Sequence, residues 1–123
     1  QTIKVFKDAG IRVSISVDPD IAMVEGAAAT GTDRIELYTE SYAKQFANGN
    51  KDAAIKPLFA AATKAKELGL GINAGHDLDR QNLQFLKQQI PWIDEVSIGH
   101  ALICDALYLG FENAIQLYKR QLQ

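Results

Sequence analysis

A single cysteine, Cys104, means that no disulfide can close within this chain, and such sparse cysteine usage accords with a reducing cytoplasm. The chain has only two histidines, His76 and His100, and no His/Cys/Asp/Glu grouping at metal-ligand spacing, P-loop or GxGxxG run is present. Apolar stretches fall short of the roughly 20 residues needed to span a bilayer, and the opening residues carry no signal or basic targeting pattern. Neither sign of charge dominates. With 13 Lys and Arg against 15 Asp and Glu, the net charge is −2, so the sequence shows no basic footprint for nucleic acid or an anionic membrane surface. There is no internal repeat, low-complexity tract or linker, so residues 1–123 read as one domain or one contiguous piece of a domain.

What is present is ordinary for a globular protein, 47% hydrophobic and 23% charged over 123 residues. Four short β-like runs stand out: IRVSISVD (11–18), RIELYT (34–39), LGINAG (70–75) and EVSIGH (95–100). Each is followed by a helix-like segment. The first leads into PDIAMVEGAAATG, with Pro19 at its start and Gly31 at its end. The second leads, after TESYAKQFANGNKD (39–52), into KDAAIKPLFAAATKAKELG. There Ala54, Leu58, Ala61, Ala65 and Leu68 form an apolar stripe, and Gly69 is the expected stop. DRQNLQFLKQQI follows the third run and ends at Pro91. ALICDALYLG and FENAIQLYKRQLQ follow the fourth, and Phe111, Ala114, Ile115, Tyr118 and Leu122 share one face of the last piece. The opening QTIKVFKDAG has helical spacing at Ile3, Phe6 and Lys7, with Gly10 as its cap. It reads as the end of a helix already under way at Gln1, so the chain is expected to be part of a longer polypeptide.

Alternating strands and helices predict a parallel sheet. Four βα units could be a small doubly wound sheet or half of a (β/α)8 barrel, and the strand faces separate the two. Val13, Ile15 and Val17 oppose Ser14, Ser16 and Asp18. Ile35 and Leu37 oppose Arg34, Glu36 and Tyr38. Val96 and Ile98 oppose Ser97 and Gly99. A doubly wound sheet is covered by helices on both faces and needs apolar residues on both. One apolar and one small or polar face suits a barrel, helix-packed outside and polar within. A full barrel takes about 250 residues, so this chain would supply about half.

Three residues stand out for chemistry. Glu36 sits mid-strand between large aliphatics, where an unpaired carboxylate costs several kcal/mol. It is either ion-paired, on an exposed edge strand, or functional. His76 follows Gly75 at one strand end and His100 follows Gly99 at the next. Active sites of barrel enzymes lie at these ends, glycine admits close approach of a ligand, and helix N-termini offer N–H groups to anions. The segment 39–52 is long and polar for a βα connection and reads as a loop, either a surface excursion or a lid. Cys104 reads as a packing residue on a helix.

RIELYTESYA, GLGINAGHDL and VSIGHALI together resemble the C-terminal half of the pyridoxine 5'-phosphate synthase family of vitamin B6 biosynthesis. The similarity runs along nearly the whole chain. It implies a (β/α)8 TIM barrel of which this chain supplies strands 5 to 8, and a homo-octamer. It also implies a cofactor-independent condensation of 1-deoxy-D-xylulose 5-phosphate with 3-amino-2-oxopropyl phosphate to pyridoxine 5'-phosphate, releasing phosphate and water. By the same resemblance His76 is the proton donor and Glu36 stabilises a transition state. Asp77, Gly99 and His100 bind the amino-ketone phosphate. The family often carries Gly where this chain has Asp77, so a backbone N–H is the expected contact there. An imidazole, with an ordinary pKa near ~6.5, suits general acid work at neutral pH. The family's remaining catalytic His and Glu and most of its basic phosphate-binding side chains belong to the other half. The alternatives are a non-enzymatic α/β small-molecule-binding module, or another phosphate-handling barrel enzyme such as an aldolase or isomerase. No lysine ends any of the four strands, which argues against Schiff-base chemistry in this half.

Overall fold

A computed structural model describes residues 2–123; Gln1, where the first helix was expected to be already under way, lies outside them. Eleven elements follow in order among the described residues: α1 (Thr2–Asp8), β1 (Ser14–Val17), α2 (Ile21–Ala29), β2 (Arg34–Tyr38), α3 (Glu40–Ala47), α4 (Lys51–Glu67), β3 (Gly71–Gly75), α5 (Leu83–Gln89), β4 (Glu95–Ser97), α6 (His100–Leu109) and α7 (Phe111–Gln121). The strands form one parallel sheet in the order β1-β2-β3-β4. Sequential order with no reversal is the winding of a barrel wall, whereas a doubly wound sheet reverses direction at a switch point. The fold is thus α/β, a parallel sheet with helices, consistent with part of a TIM-barrel domain.

Strand alternation sorts the two faces as the sequence implies. Ile35, Leu37, Ile72 and Ala74 are fully buried and form one core with Val24 of α2, Leu58, Ala61 and Ala65 of α4, and Leu83 and Leu86 of α5. The opposite face carries Ser14, Ser16, Arg34, Glu36, Tyr38, Gly71, Asn73, Gly75, Glu95 and Ser97, in register across the four strands. At the N-terminal strand ends this face is charged. Arg34 donates to Asn73 Oδ1 at 3.0 Å and lies 3.4 Å from Glu95. Arg12, just before β1, reaches Glu95 of β4 with contacts of 3.0 and 3.2 Å. A side chain entering the first strand can touch one on the fourth only if the sheet curves, with its polar face concave.

Local signals account for some helix ends. Asp20 caps α2, its Oδ1 accepting from the N–H groups of Ala22 and Met23. Gly69 closes α4 with φ of +74°, a conformation that glycine adopts without steric penalty.

Several expectations are corrected. Residues 39–52 are not a loop: α3 occupies most of the stretch and is packed down. Its Tyr42 is buried and donates to the Asn82 carbonyl at 2.6 Å, and Phe46 lies between Tyr42 and Phe85 at centroid distances of 5.7 and 5.8 Å. An eight-residue helix is not stable by propensity alone, and here aromatic packing holds it. Leu68 is exposed rather than part of the α4 stripe. On α7 only Ala114 and Tyr118 of the expected face are buried, while Phe111 and Ile115 are exposed. Cys104 is exposed, not packed, because α6 buries Ala106 and turns Cys104, Leu107 and Tyr108 outward. No helix among the described residues is long and apolar enough to cross a membrane.

Candidate active site at the C-terminal strand ends

The C-terminal ends of β2, β3 and β4 enclose an open cleft of about 620 Å³ on the concave face. Glu36 comes to it from β2, His76 and Asp77 from the exit of β3, Ser97 from β4, and Gly99 and His100 from the start of α6. All five residues singled out from the sequence therefore line one space, although 64 positions separate the first from the last.

Glu36 lies on a central strand, so the exposed-edge explanation fails. Among the described residues it has no ion pair. Its Oε2 instead accepts a hydrogen bond from Ser97 Oγ at 2.8 Å. The carboxylate also lies over Gly75. A Cβ at Gly75 would sit 3.0 Å from Glu36 Cδ and 3.1 Å from each carboxylate oxygen. This corrects the expected role of that glycine: the room it leaves is taken by the Glu36 side chain and not by a ligand. Gly71 does the same for Arg34, whose Cγ would lie 2.6 Å from an added Cβ. The two inward glycines of β3 are seats for Arg34 and Glu36 of β2.

His76 leaves β3 in an unusual backbone conformation, φ +90°, and Asp77 follows at φ +56°. Non-glycine residues in such regions are strained by on the order of 1–3 kcal/mol each, and the strain persists only where the surroundings enforce it. Asp tolerates the left-handed region better than most residues, which lets it stand at Asp77 where glycine would be unstrained. The Asp77 carboxylate lies 3.3 Å from His76 Nδ1. Its carbonyl accepts from Asn82 Nδ2 at 3.1 Å, and Asn82 is itself held by Tyr42 of α3.

The His76 ring packs on Tyr38, centroids 4.6 Å apart and planes inclined at 57°. Tyr38 donates its hydroxyl to Glu40 Oε2 at 2.6 Å. That bond to a carboxylate, helped by burial and nearby negative charge, pushes the phenol up to about 12. Glu40 is in turn held below the usual carboxylate range by its hydrogen bond from Lys44, then by that from Tyr38. The wall beside His76 is thus a neutral phenol anchored by an ion pair.

The other histidine is placed differently. Gly99 is the N-cap of the ten-residue α6 and His100 its first residue. The first intrahelical bond runs from the Ile103 N–H to the Gly99 carbonyl at 3.1 Å, so the N–H groups of His100, Ala101 and Leu102 precede the ladder and point out of the helix start. A Cβ on Gly99 would meet nothing within 4 Å. Here the glycine does leave empty space, and it opens onto the cleft. The lining combines two imidazoles, two carboxylates, a hydroxyl and a helix N-terminus, and among the described residues it includes no lysine or arginine. It can hold an anion by backbone N–H groups and pass protons, but leaves phosphate charge to be balanced from elsewhere.

Sequence reasoning passed over Ser97, Tyr38 and Thr39, whose side chains fix Glu36 and His76. The alternation that put Glu36 and Ser97 on one face could have pointed to the first. The others depend on which strand ends meet.

Known proteins give the arrangement a context. The model of the family described as "Pyridoxal phosphate biosynthesis protein PdxJ" matches residues 1–123. Pyridoxine 5'-phosphate synthase of Cytophaga hutchinsonii is 67% identical over all 123 residues, which cover 51% of that protein. The enzymes of the same name from Flavobacterium johnsoniae and Bacteroides thetaiotaomicron are 58% and 56% identical over 100% and 96% of the chain, which covers 52% and 49% of them. The chain spans about half the length of these curated relatives. A match along its whole length, at such identity, shows that the chain belongs to the PdxJ family of pyridoxal phosphate biosynthesis proteins.

Proposed function

We propose that this chain is the C-terminal half of a single (β/α)8 barrel, contributing strands 5 to 8, and that the complete protein is a pyridoxine 5'-phosphate synthase. It condenses 1-deoxy-D-xylulose 5-phosphate with 3-amino-2-oxopropyl phosphate and releases phosphate and water. The observation that carries the reading is the convergence of Glu36, His76, Asp77, Gly99 and His100 on one cleft at the C-terminal strand ends, where barrel enzymes do their chemistry.

In this reading the amino-ketone phosphate lies against the start of α6. The open space at Gly99 admits it, and the N–H groups of the first turn with His100 accept its charge. The backbone at Asp77 closes the opposite side. His76 stands across the cleft as general acid, delivering a proton to a departing oxygen during dehydration and ring closure. Glu36, oriented by Ser97, stabilises positive charge developing at the amine-derived nitrogen. A lining without lysine or arginine among the described residues fits a shared site, because balancing two phosphate esters then falls to basic groups on the other half of the barrel. Among the described residues this half brings no lysine to the cleft for Schiff-base chemistry, and the proposed reaction calls on no cofactor. Homo-octameric assembly and a cytoplasmic location belong to the same proposal and rest on family resemblance.

The test is direct. Full-length protein supplied with both substrates is expected to form pyridoxine 5'-phosphate and inorganic phosphate in equal amounts without added cofactor. Substrate binding without turnover would favour the non-enzymatic module, and turnover of a different phosphate ester would favour another barrel chemistry.

A further inference from the structure

The strained backbone of His76 is held by one residue that the proposed chemistry does not use. Thr39 follows directly on β2 and is completely buried. Its N–H donates to the Gly75 carbonyl at 2.9 Å. Its Oγ1 lies 2.7 Å from that same oxygen and 2.5 Å from the His76 carbonyl. A hydroxyl has one proton to give. With the amide already serving Gly75, the shorter contact makes His76 the natural recipient.

The consequence is geometric. The Gly75 carbonyl belongs to the peptide plane before the His76 Cα, and the His76 carbonyl to the plane after it. The φ and ψ of His76 are the rotations of those two planes about its Cα. One buried residue, its N–H bonded to the first plane and its hydroxyl to the second, fixes both angles, and with them the direction in which the Cβ and imidazole leave the backbone. The Tyr38 ring, adjacent in sequence, then limits the imidazole from one side. We propose that Thr39 is the positioning residue for His76: its hydroxyl holds the left-handed turn that aims the imidazole into the cleft. The inference rests on His76 acting as the acid in the proposed reaction, but its structural content stands apart from that role.

Valine is the discriminating substitution, since it keeps the branched shape and replaces the hydroxyl by a methyl. In the full-length enzyme Thr39→Val is expected to lower kcat about 10- to 100-fold, the scale on which misplacement of a catalytic group is felt. KM for the amino-ketone phosphate should change less than kcat, within about tenfold, because the contacts at α6 are untouched and only the Asp77 N–H, which shares a peptide plane with the His76 carbonyl, moves with it. Thr39→Ser keeps the hydroxyl and should restore kcat to within about threefold of the parent. A crystal structure of the valine variant should show His76 away from φ +90°. Normal kcat in the valine variant would overturn the inference, as would an unchanged His76 backbone in a variant that has lost activity. Should the valine protein fail to fold, the serine variant decides: turnover near the parent's supports a hydroxyl-specific role, and turnover as low as that of a His76 variant overturns it. If the parent protein itself shows no synthase turnover, the proposed function fails, and the His76 backbone in the valine variant judges the Thr39 inference alone.

Discussion

Two strands leave this sheet on the same dipeptide, Gly-His, and the chain does opposite things after it. At the exit of β3, Gly75 is filled from above by the Glu36 carboxylate, and His76 is wound into a left-handed turn pinned by Thr39. At the exit of β4, Gly99 faces open space and His100 starts a regular helix. The first exit spends its contacts on fixing a side chain. The second leaves its backbone N–H groups free. A rigid, aimed imidazole suits proton transfer, and an open helix start suits an anion, so one motif serves two chemistries according to what packs behind it.

The sharpest way to break that contrast is to remove the aimed imidazole. His76→Asn in the full-length enzyme should reduce kcat by about 10²–10⁴-fold, the usual contribution of a general acid, with KM for the amino-ketone phosphate changed only a few-fold. Steady-state kinetics checks this, and binding lost as severely as rate would erase the distinction between the two exits.

Gly99→Val probes the other side. An added Cβ meets no atom of this chain within 4 Å, so the free protein should fold, with a loss of stability no larger than the ~1 kcal/mol of a poorer N-cap. The side chain would instead stand where the phosphate approaches. Affinity for the amino-ketone phosphate should drop by at least roughly 10- to 100-fold, since a single misfitting methylene already has that effect in a pocket and valine adds three carbon atoms. Calorimetric titration reads it, and normal binding would remove Gly99 from the site.

At Gly75 the same kind of change should act on the protein itself. Gly75→Ala brings a methyl to 3.0 Å from Glu36 Cδ and should displace the carboxylate from Ser97. Turnover is expected to fall about tenfold, since small displacements of an aligned group are felt strongly, with phosphate affinity retained. If it weakens phosphate binding and spares kcat, the two glycines play the same role and the comparison collapses.

The smallest effect is expected at Asp77. Asp77→Gly removes the strain of φ +56° while loosening the unfolded chain, and these terms oppose each other on a scale of about 1 kcal/mol. Thermal stability should barely move, and activity should stay within a few-fold because the proposed contact there is the backbone N–H. A large loss of activity would mean that the carboxylate beside His76 Nδ1 takes part.

Much of this was legible from local order. Alternation in RIELY told which residues of β2 enter the core and which face the cleft, because a strand's side chains must alternate. The repeated Gly-His at strand ends located the site. The segment 39–52 was misread because its short helix is half polar and is flanked by the polar stretch 48–52. Tyr42 and Phe46 give it order only by meeting Phe85 and the Asn82 carbonyl, some forty positions away. Cys104 was misread for the converse reason: an apolar-looking helix does not reveal which of its faces a neighbour will cover.

Local chemistry along the chain was enough to determine the parallel α/β pattern, the polar and apolar sheet faces, and the histidines and carboxylate worth following. Periodicity and cap residues act over a few positions and need no partner to be read. The seat of Glu36 over Gly75, the hold of Thr39 on the two peptide planes of His76, and the difference between Gly75 and Gly99 were decided by tertiary structure. Each depends on the register of one strand against the next, and register is set by the burial of a whole sheet face against its helices rather than by any short stretch of residues.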